Sequence, residues 1–212
     1  MVTDIAVLKR LLPSLETHWD GKESVLKLKE ADYNWRQMEW WAFYFELLCR
    51  QLLSGIFQIP GDKYGTVSFD IKRRINWDFK AHAIKSNSHS IILNDVDAMK
   101  ASIREHGAHG EIIALCDVVY NDIDRTFQKW HTELKGGKSA YEMERENRTS
   151  VSRYRKTSAD LIEVLLIEFT AKDLEKFSVM RQGRNSNGRP RPFKYMLDLE
   201  DLDSIKIEKI TF

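Results

Sequence analysis

Cysteine is scarce in this 212-residue chain: only Cys49 and Cys116, each inside an apolar stretch. Neither has a CxxC partner or a metal-type spacing to histidine, which excludes a disulfide scaffold and a thiolate zinc module. Both read as core thiols of a reducing compartment. Long hydrophobic runs are missing too, none approaching the ~18 residues that span a bilayer. The opening Met1-Val2-Thr3-Asp4 has no basic-then-apolar secretory pattern, so a cytoplasmic location is expected. Net charge is nearly absent, 33 Lys+Arg against 32 Asp+Glu, and that excludes a uniformly basic coat for DNA or anionic lipid. No P-loop, GxGxxG or GxSxG occurs, which argues against nucleotide-driven and acyl-transfer chemistry. Internal repeats and low-complexity tracts are also missing.

What is present is enough for one well-filled core. Hydrophobic residues at 42% and aromatics at 11% exclude general disorder, and a single domain over 1–212 is expected. Charged residues reach 31%, above the usual quarter, so their placement matters more than their sum.

Residues 4–16 read as a short helix closed by Pro13. A long helix is expected over 23–54, with Met38, Trp41, Ala42, Phe45, Cys49 and Leu52 as its core stripe. After Pro60-Gly61-Asp62 and Gly65 the period changes from helical to alternating. Two strands, Thr66 to Lys72 and Trp77 to Ile84, join through a turn at Arg73-Arg74-Ile75. A third strand follows at Ser90 to Leu93, then a helix capped by Asn94-Asp95 and stopped at His106-Gly107. Glu111 to Val119 is an apolar strand, Ile123 to Leu134 a helix, and Val164 to Phe169 a further strand. The core order from 23 to 119 is α-β-β-β-α-β, an α/β (α+β) mixed central sheet flanked by helices, with additions over 138–195.

The hairpin carries the chemistry. With its turn centred on Arg74, residues whose numbers sum to 148 face one another, so Asp70 opposes Asp78 and Lys80 shares their face. Phe69, Ile71, Trp77 and Phe79 point to the other side. Opposed carboxylates repel, and a divalent cation resolves the conflict. Such a pair can serve a hydrolytic phosphodiester site, with a lysine to orient or deprotonate water or to stabilise phosphate charge.

An acid followed by acid-x-lysine on paired strands resembles the PD-(D/E)XK nuclease superfamily, to which most type II restriction endonucleases belong. That family's core is α-β-β-β-α-β. The resemblance implies Asp70 as the first metal-binding acid, Asp78 as the second and Lys80 as the motif lysine. It adds a glutamate from the preceding helix, for which Glu46 is the best-placed match and Glu39 the substitute. Phe69 stands before Asp70, where the family carries proline, and the gap between the two acids is short. The implied cofactor is Mg²⁺.

His82 shares the face of Asp78 and Lys80 and can touch phosphate or serve as a polar strand residue. His106 and His109 flank Gly107 without a third ligand nearby, so no zinc site is expected there.

The missing positive charge is concentrated late in the chain. Arg145, Arg148, Arg153, Arg155 and Lys156 stand against one acid, Glu146, and Arg181, Arg184, Arg189, Arg191 and Lys194 against none. Asn185, Asn187 and glycines 183 and 188 are interleaved, a mixture suited to phosphates and base edges. The expectation is a Mg²⁺-dependent type II restriction endonuclease. It would be a C2 homodimer on palindromic double-stranded DNA, with a cognate methyltransferase in the cell. A structure-selective nuclease and a non-catalytic nucleic-acid-binding regulator are the alternatives.

Overall fold

The stretch expected as one long helix over 23–54 folds as two. In the computed structural model, which describes residues 2–60, 69–85, 88–120, 123–138, 143, 155–184, 188–202 and 205–212, α2 spans Gly21–Glu30 and α3 spans Trp40–Leu53. Between them Asp32 and Asn34 take positive φ, 49° and 44°. Asp and Asn tolerate this conformation better than most residues, and it breaks a helix. Asp20 starts α2, its Oδ1 accepting from the Lys22 and Glu23 amides at 2.9 and 3.0 Å. The stripe of α3 is buried at Trp41, Phe45 and Cys49 as expected.

The first helix, α1 (Asp4–Leu11), ends in a 3-10 turn over Leu12–Ser14. A strand not anticipated from the sequence, β1 (His18–Asp20), follows it. The hairpin strands are β2 (Ile71–Lys72) and β3 (Asn76–Ala83). Then come β4 (Ser90–Asp95), α4 (Val96–His106), β5 (His109–Val119), α5 (Thr126–Leu134), β6 (Ser158–Phe169), β7 (Ser178–Met180), β8 (Lys194–Asp198) and β9 (Lys206–Thr211). Gly107, at φ 81°, closes α4, as the sequence predicts.

From α3 to β5 the described elements run α-β-β-β-α-β. Their spatial arrangement departs from the expectation at the third strand. The mixed central sheet has the order β1-β6-β5-β3-β2, with β9 also on β6. β4 instead joins β8 and β7 in a separate three-stranded sheet. The reason lies in its apolar residues: Ile91 and Leu93 bury with Met99 and Ile103 of α4 and with Ile113, Leu165, Ile167 and Phe169 of the central sheet.

The central sheet is therefore covered on both faces, which explains why β5 reads as a continuous apolar run. One face carries Trp77, Phe79, Ile112, Ala114, Val164 and Leu166, packed with α3 and the N-terminal helices. Phe45 meets Phe79 edge-on at 6.0 Å. The opposite face carries Ile113, Leu165 and Ile167, and at its β3 end the polar residues described below.

β3 and β5 pair in parallel, with Asp78 opposite Glu111 and Trp77 opposite Gly110. A Cβ at Gly110 would lie 2.2 Å from the Trp77 ring, so only glycine admits the indole across β5. The hairpin turn is fixed from the other side by Asp4. This buried carboxylate accepts from Arg73 Nη1 and the Arg74 amide, both at 3.0 Å, from the Ile75 amide at 3.3 Å and from Trp77 Nε1 at 3.2 Å. Among the described residues no helix is long and apolar enough to cross a membrane.

Candidate metal centre

The hairpin register is the expected one. Ile71 pairs with Trp77 and Lys72 with Asn76, so both pairs sum to 148. Ile71 and Trp77 are fully buried and Phe79 nearly so, leaving Asp78 and Lys80 on the opposite side of β3. Asp70 stands one step beyond the last pair. Its Oδ2 accepts from the Phe79 amide at 2.7 Å, so a side chain satisfies a β3 donor where the short strand ends.

Asp78 is buried. Its Oδ2 accepts from Asn94 Nδ2 of β4 at 2.6 Å and lies 3.0 Å from His109 Nε2. The displaced third strand thus still contributes to the site. Lys80 Nζ donates to the Phe79 carbonyl at 3.2 Å and lies 3.6 Å from Glu111 Oε2.

β5 brings in two residues that the sequence analysis did not assign to this site, His109 and Glu111, both fully buried. Asp78, His109 and Glu111 each offer a ligand atom, all within 4.8 Å of one another. Both Glu111 oxygens and His109 Nε2 lack a geometric hydrogen-bond partner, although His109 Nε2 is within ion-pair distance of Asp78. The other ring nitrogen, Nδ1, is 3.0 Å from Ser102 Oγ of α4. A signal existed: His109 and Glu111 are polar residues at alternate positions directly before an apolar strand.

Four carboxylates converge on one ammonium. Glu46 of α3 is half-buried, and its Oε1 accepts from the Tyr33 hydroxyl. Burial raises its pKa above the carboxylate norm, with Asp78 adding to the rise and Tyr33, Lys80 and Arg50 opposing it. Asp70 is raised well above its usual range by burial, then by Asp78 and Glu46. Glu111 is pushed up to about 7, by burial first and also by Asp78, against Lys80 and His109. Asp78 alone falls: burial works upward, but Lys80, His109 and Asn94 outweigh it. For Lys80, burial works against the ammonium, yet Glu111, Asp78, Asp70 and Glu46 hold its pKa above the ordinary lysine value. Without a cation the pocket thus favours retained protons, and a bound divalent charge inverts that preference.

Other expected residues are placed elsewhere. Glu39 stands at the start of α3, where its Oε2 accepts from Trp41 Nε1 at 2.9 Å and from Lys156 Nζ. His82 is half-buried, its pKa lowered by burial and by His89. Arg155 is buried. The Lys156 ammonium also lies over Trp41 and Tyr120, at 5.1 and 5.6 Å from the ring centroids, so both cations are engaged within the fold. Arg181, Arg184, Arg189 and Arg191 are exposed. Arg184 Nη1 donates to the Gly188 carbonyl at 2.8 Å, and the Arg191 amide to the Gly183 carbonyl at 3.0 Å, closing a loop on itself. Arg145, Arg148, Arg153, Asn185 and Asn187 lie outside the described residues.

No protein-family model, curated protein or solved structure matches the chain.

Proposed function

We propose that the protein is a divalent-metal-dependent endonuclease on double-stranded DNA, of the PD-(D/E)XK kind and in the manner of a type II restriction enzyme. One observation carries this reading: Asp70, Asp78 and Lys80 of one hairpin cluster with Glu111 and Glu46, Asp78 and Glu111 buried and the other three half-buried. Opposed acids around one lysine have no advantage for stability alone; around a cation and a phosphodiester they do.

The donor set fits a divalent ion, because buried oxygens of Glu111, beside Asp78, have no hydrogen-bond partner. Asp78 and Glu111, with the expected ligands Asp70 and Glu46, would hold Mg²⁺, the expected cofactor, which when bound supplies positive charge against the scissile phosphate. Asn94 keeps the Asp78 carboxylate oriented toward the pocket. In the metal-free site Lys80 is held as an ammonium by its carboxylate neighbours. Its role is to orient water and to stabilise charge growing on phosphate oxygens. Hydrolysis adds water across the P–O3′ bond and leaves a 5′-phosphate and a 3′-hydroxyl.

The exposed arginines 181, 184, 189 and 191, with Asn185 and Asn187, would grip the duplex, joined by Arg145, Arg148 and Arg153. One site per chain and two strands to cut favour a C2 homodimer on a palindrome.

Incubating purified protein with a sequenced plasmid and Mg²⁺ or Mn²⁺ tests this. Discrete fragments with 5′-phosphate ends are expected. Cutting confined to branched substrates would replace the reading with a structure-selective nuclease, and a gel shift of intact DNA with a non-catalytic binder.

A further inference from the structure

His109 turns the acidic pocket into a mixed-donor one. Its Nε2 faces Asp78 Oδ2 at 3.0 Å and Glu111 Oε1 at 3.9 Å, is fully buried and has no hydrogen-bond partner. We propose that Asp78, His109 and Glu111 form a nitrogen-containing site for a divalent first-row transition-metal ion, with Mg²⁺ the weaker binder. The inference rests on the endonuclease reading for what the ion is used for, but not for its binding.

Three features support it. First, the donors are close enough to share one ion, all within 4.8 Å, and three of their buried atoms lack a hydrogen bond. Unpaired buried polar atoms are costly, and Lys80 ion-pairs with Glu111 at 3.6 Å without making a geometric hydrogen bond to it. Second, two donors are fixed by neighbours. Ser102 Oγ holds His109 from behind, at 3.0 Å from Nδ1, and Asn94 Nδ2 donates to Asp78 Oδ2, the oxygen that faces His109, at 2.6 Å. Metal-binding imidazoles have such a partner on the far nitrogen, which fixes the ring and leaves the near nitrogen for the ion. Third, the donor types discriminate. Mg²⁺ favours oxygen ligands in a near-ideal octahedron. An imidazole beside two carboxylates favours transition ions, with affinity rising from Mn²⁺ to Co²⁺.

The experiment is calorimetric titration of the metal-free protein with Mg²⁺, Mn²⁺ and Co²⁺, joined to pulsed EPR of the Mn²⁺ complex. Affinity should rise in that order, with Mn²⁺ at least about 10-fold tighter than Mg²⁺. The Mn²⁺ spectrum of the unaltered chain should show nitrogen modulation that changes on ¹⁵N-histidine labelling. His109→Gln should abolish the modulation, and Ser102→Ala should weaken Mn²⁺ binding by about 10-fold or more. Equal affinities for Mg²⁺ and Mn²⁺, or a wild-type spectrum without nitrogen modulation, would overturn the proposal; the spectrum needs no variant to fold. Nitrogen-coordinated Mn²⁺ in a protein that leaves DNA intact would keep this inference and end the endonuclease reading. DNA cleavage without nitrogen coordination would do the reverse.

Discussion

The two sides of β3 differ as sharply as a core and an active site, although their residues alternate along one strand. Trp77 and Phe79 bury among aromatics, whereas Asp78 is buried and Lys80 half-buried among other charges. The apolar side gains from every contact it makes. The polar side carries desolvation costs that its internal pairs offset only in part. The lesson is a division of labour, in which packing on one face holds repelling carboxylates together on the other.

Removing the support should give the largest effect. Trp77→Ala deletes a fully buried indole and is expected to cost about 3–5 kcal/mol, read as a lower denaturation midpoint. A loss below ~1 kcal/mol would show that the apolar face does not carry the site. On the polar face, Lys80→Ala should lower the cleavage rate by about 10²–10³-fold, the range for one electrostatic donor. DNA binding supported by Ca²⁺ should survive, and wild-type cleavage by this variant would remove the lysine from the chemistry.

The pH dependence of stability sharpens the contrast. Glu111 has its folded-state pKa raised from 4.5 to about 7, so its protonated form favours the fold. For the metal-free protein this contribution is full below the unfolded value and is lost as pH rises through about 7. Asp78, lowered from 3.8, has the opposite sign: its contribution is present above the unfolded value and is lost on acidification. The melting temperature of metal-free protein should therefore fall between pH 5 and 7.5, with Glu111 contributing on the order of 3 kcal/mol. Glu111→Gln should flatten that slope, and a saturating divalent ion should reverse it. The smallest effect belongs to the exposed arginine loop. Arg184→Ala or Arg189→Ala should weaken DNA binding by about 1 kcal/mol and reduce the salt slope by about one unit. An unchanged slope would take that loop out of the interface.

Much of the hairpin was legible in the sequence because its information is local. Alternation fixes which residues share a face, and the turn at Arg74 fixes which face one another. The α4 cap at Gly107 is local in the same sense. What was not legible depends on distant pairing. Nothing in Glu111 to Val119 states that it will lie parallel to β3, and a one-residue slip would move Glu111 to the other face. His109 was read as lying at a helix end because it follows Gly107, although that glycine ends α4 and His109 opens β5. The break between α2 and α3 was hidden by an apolar period continuing on both sides of Asp32 and Asn34. The placement of β4 was decided by α4 and β8, far along the chain.

The parallel pairing of Asp78 with Glu111 also sets an order of events. Parallel strands close only after the long connection through β4 and α4 has been ordered, and such non-local contacts form slowly. The carboxylates of β3 and β5 are thus expected to converge late, after the hairpin and the helices around it. Pulse-labelled hydrogen exchange would date the step, with β5 amides protected after those of α3. A chain emerging from the ribosome would then carry the separate parts of its candidate metal centre well before they could share an ion.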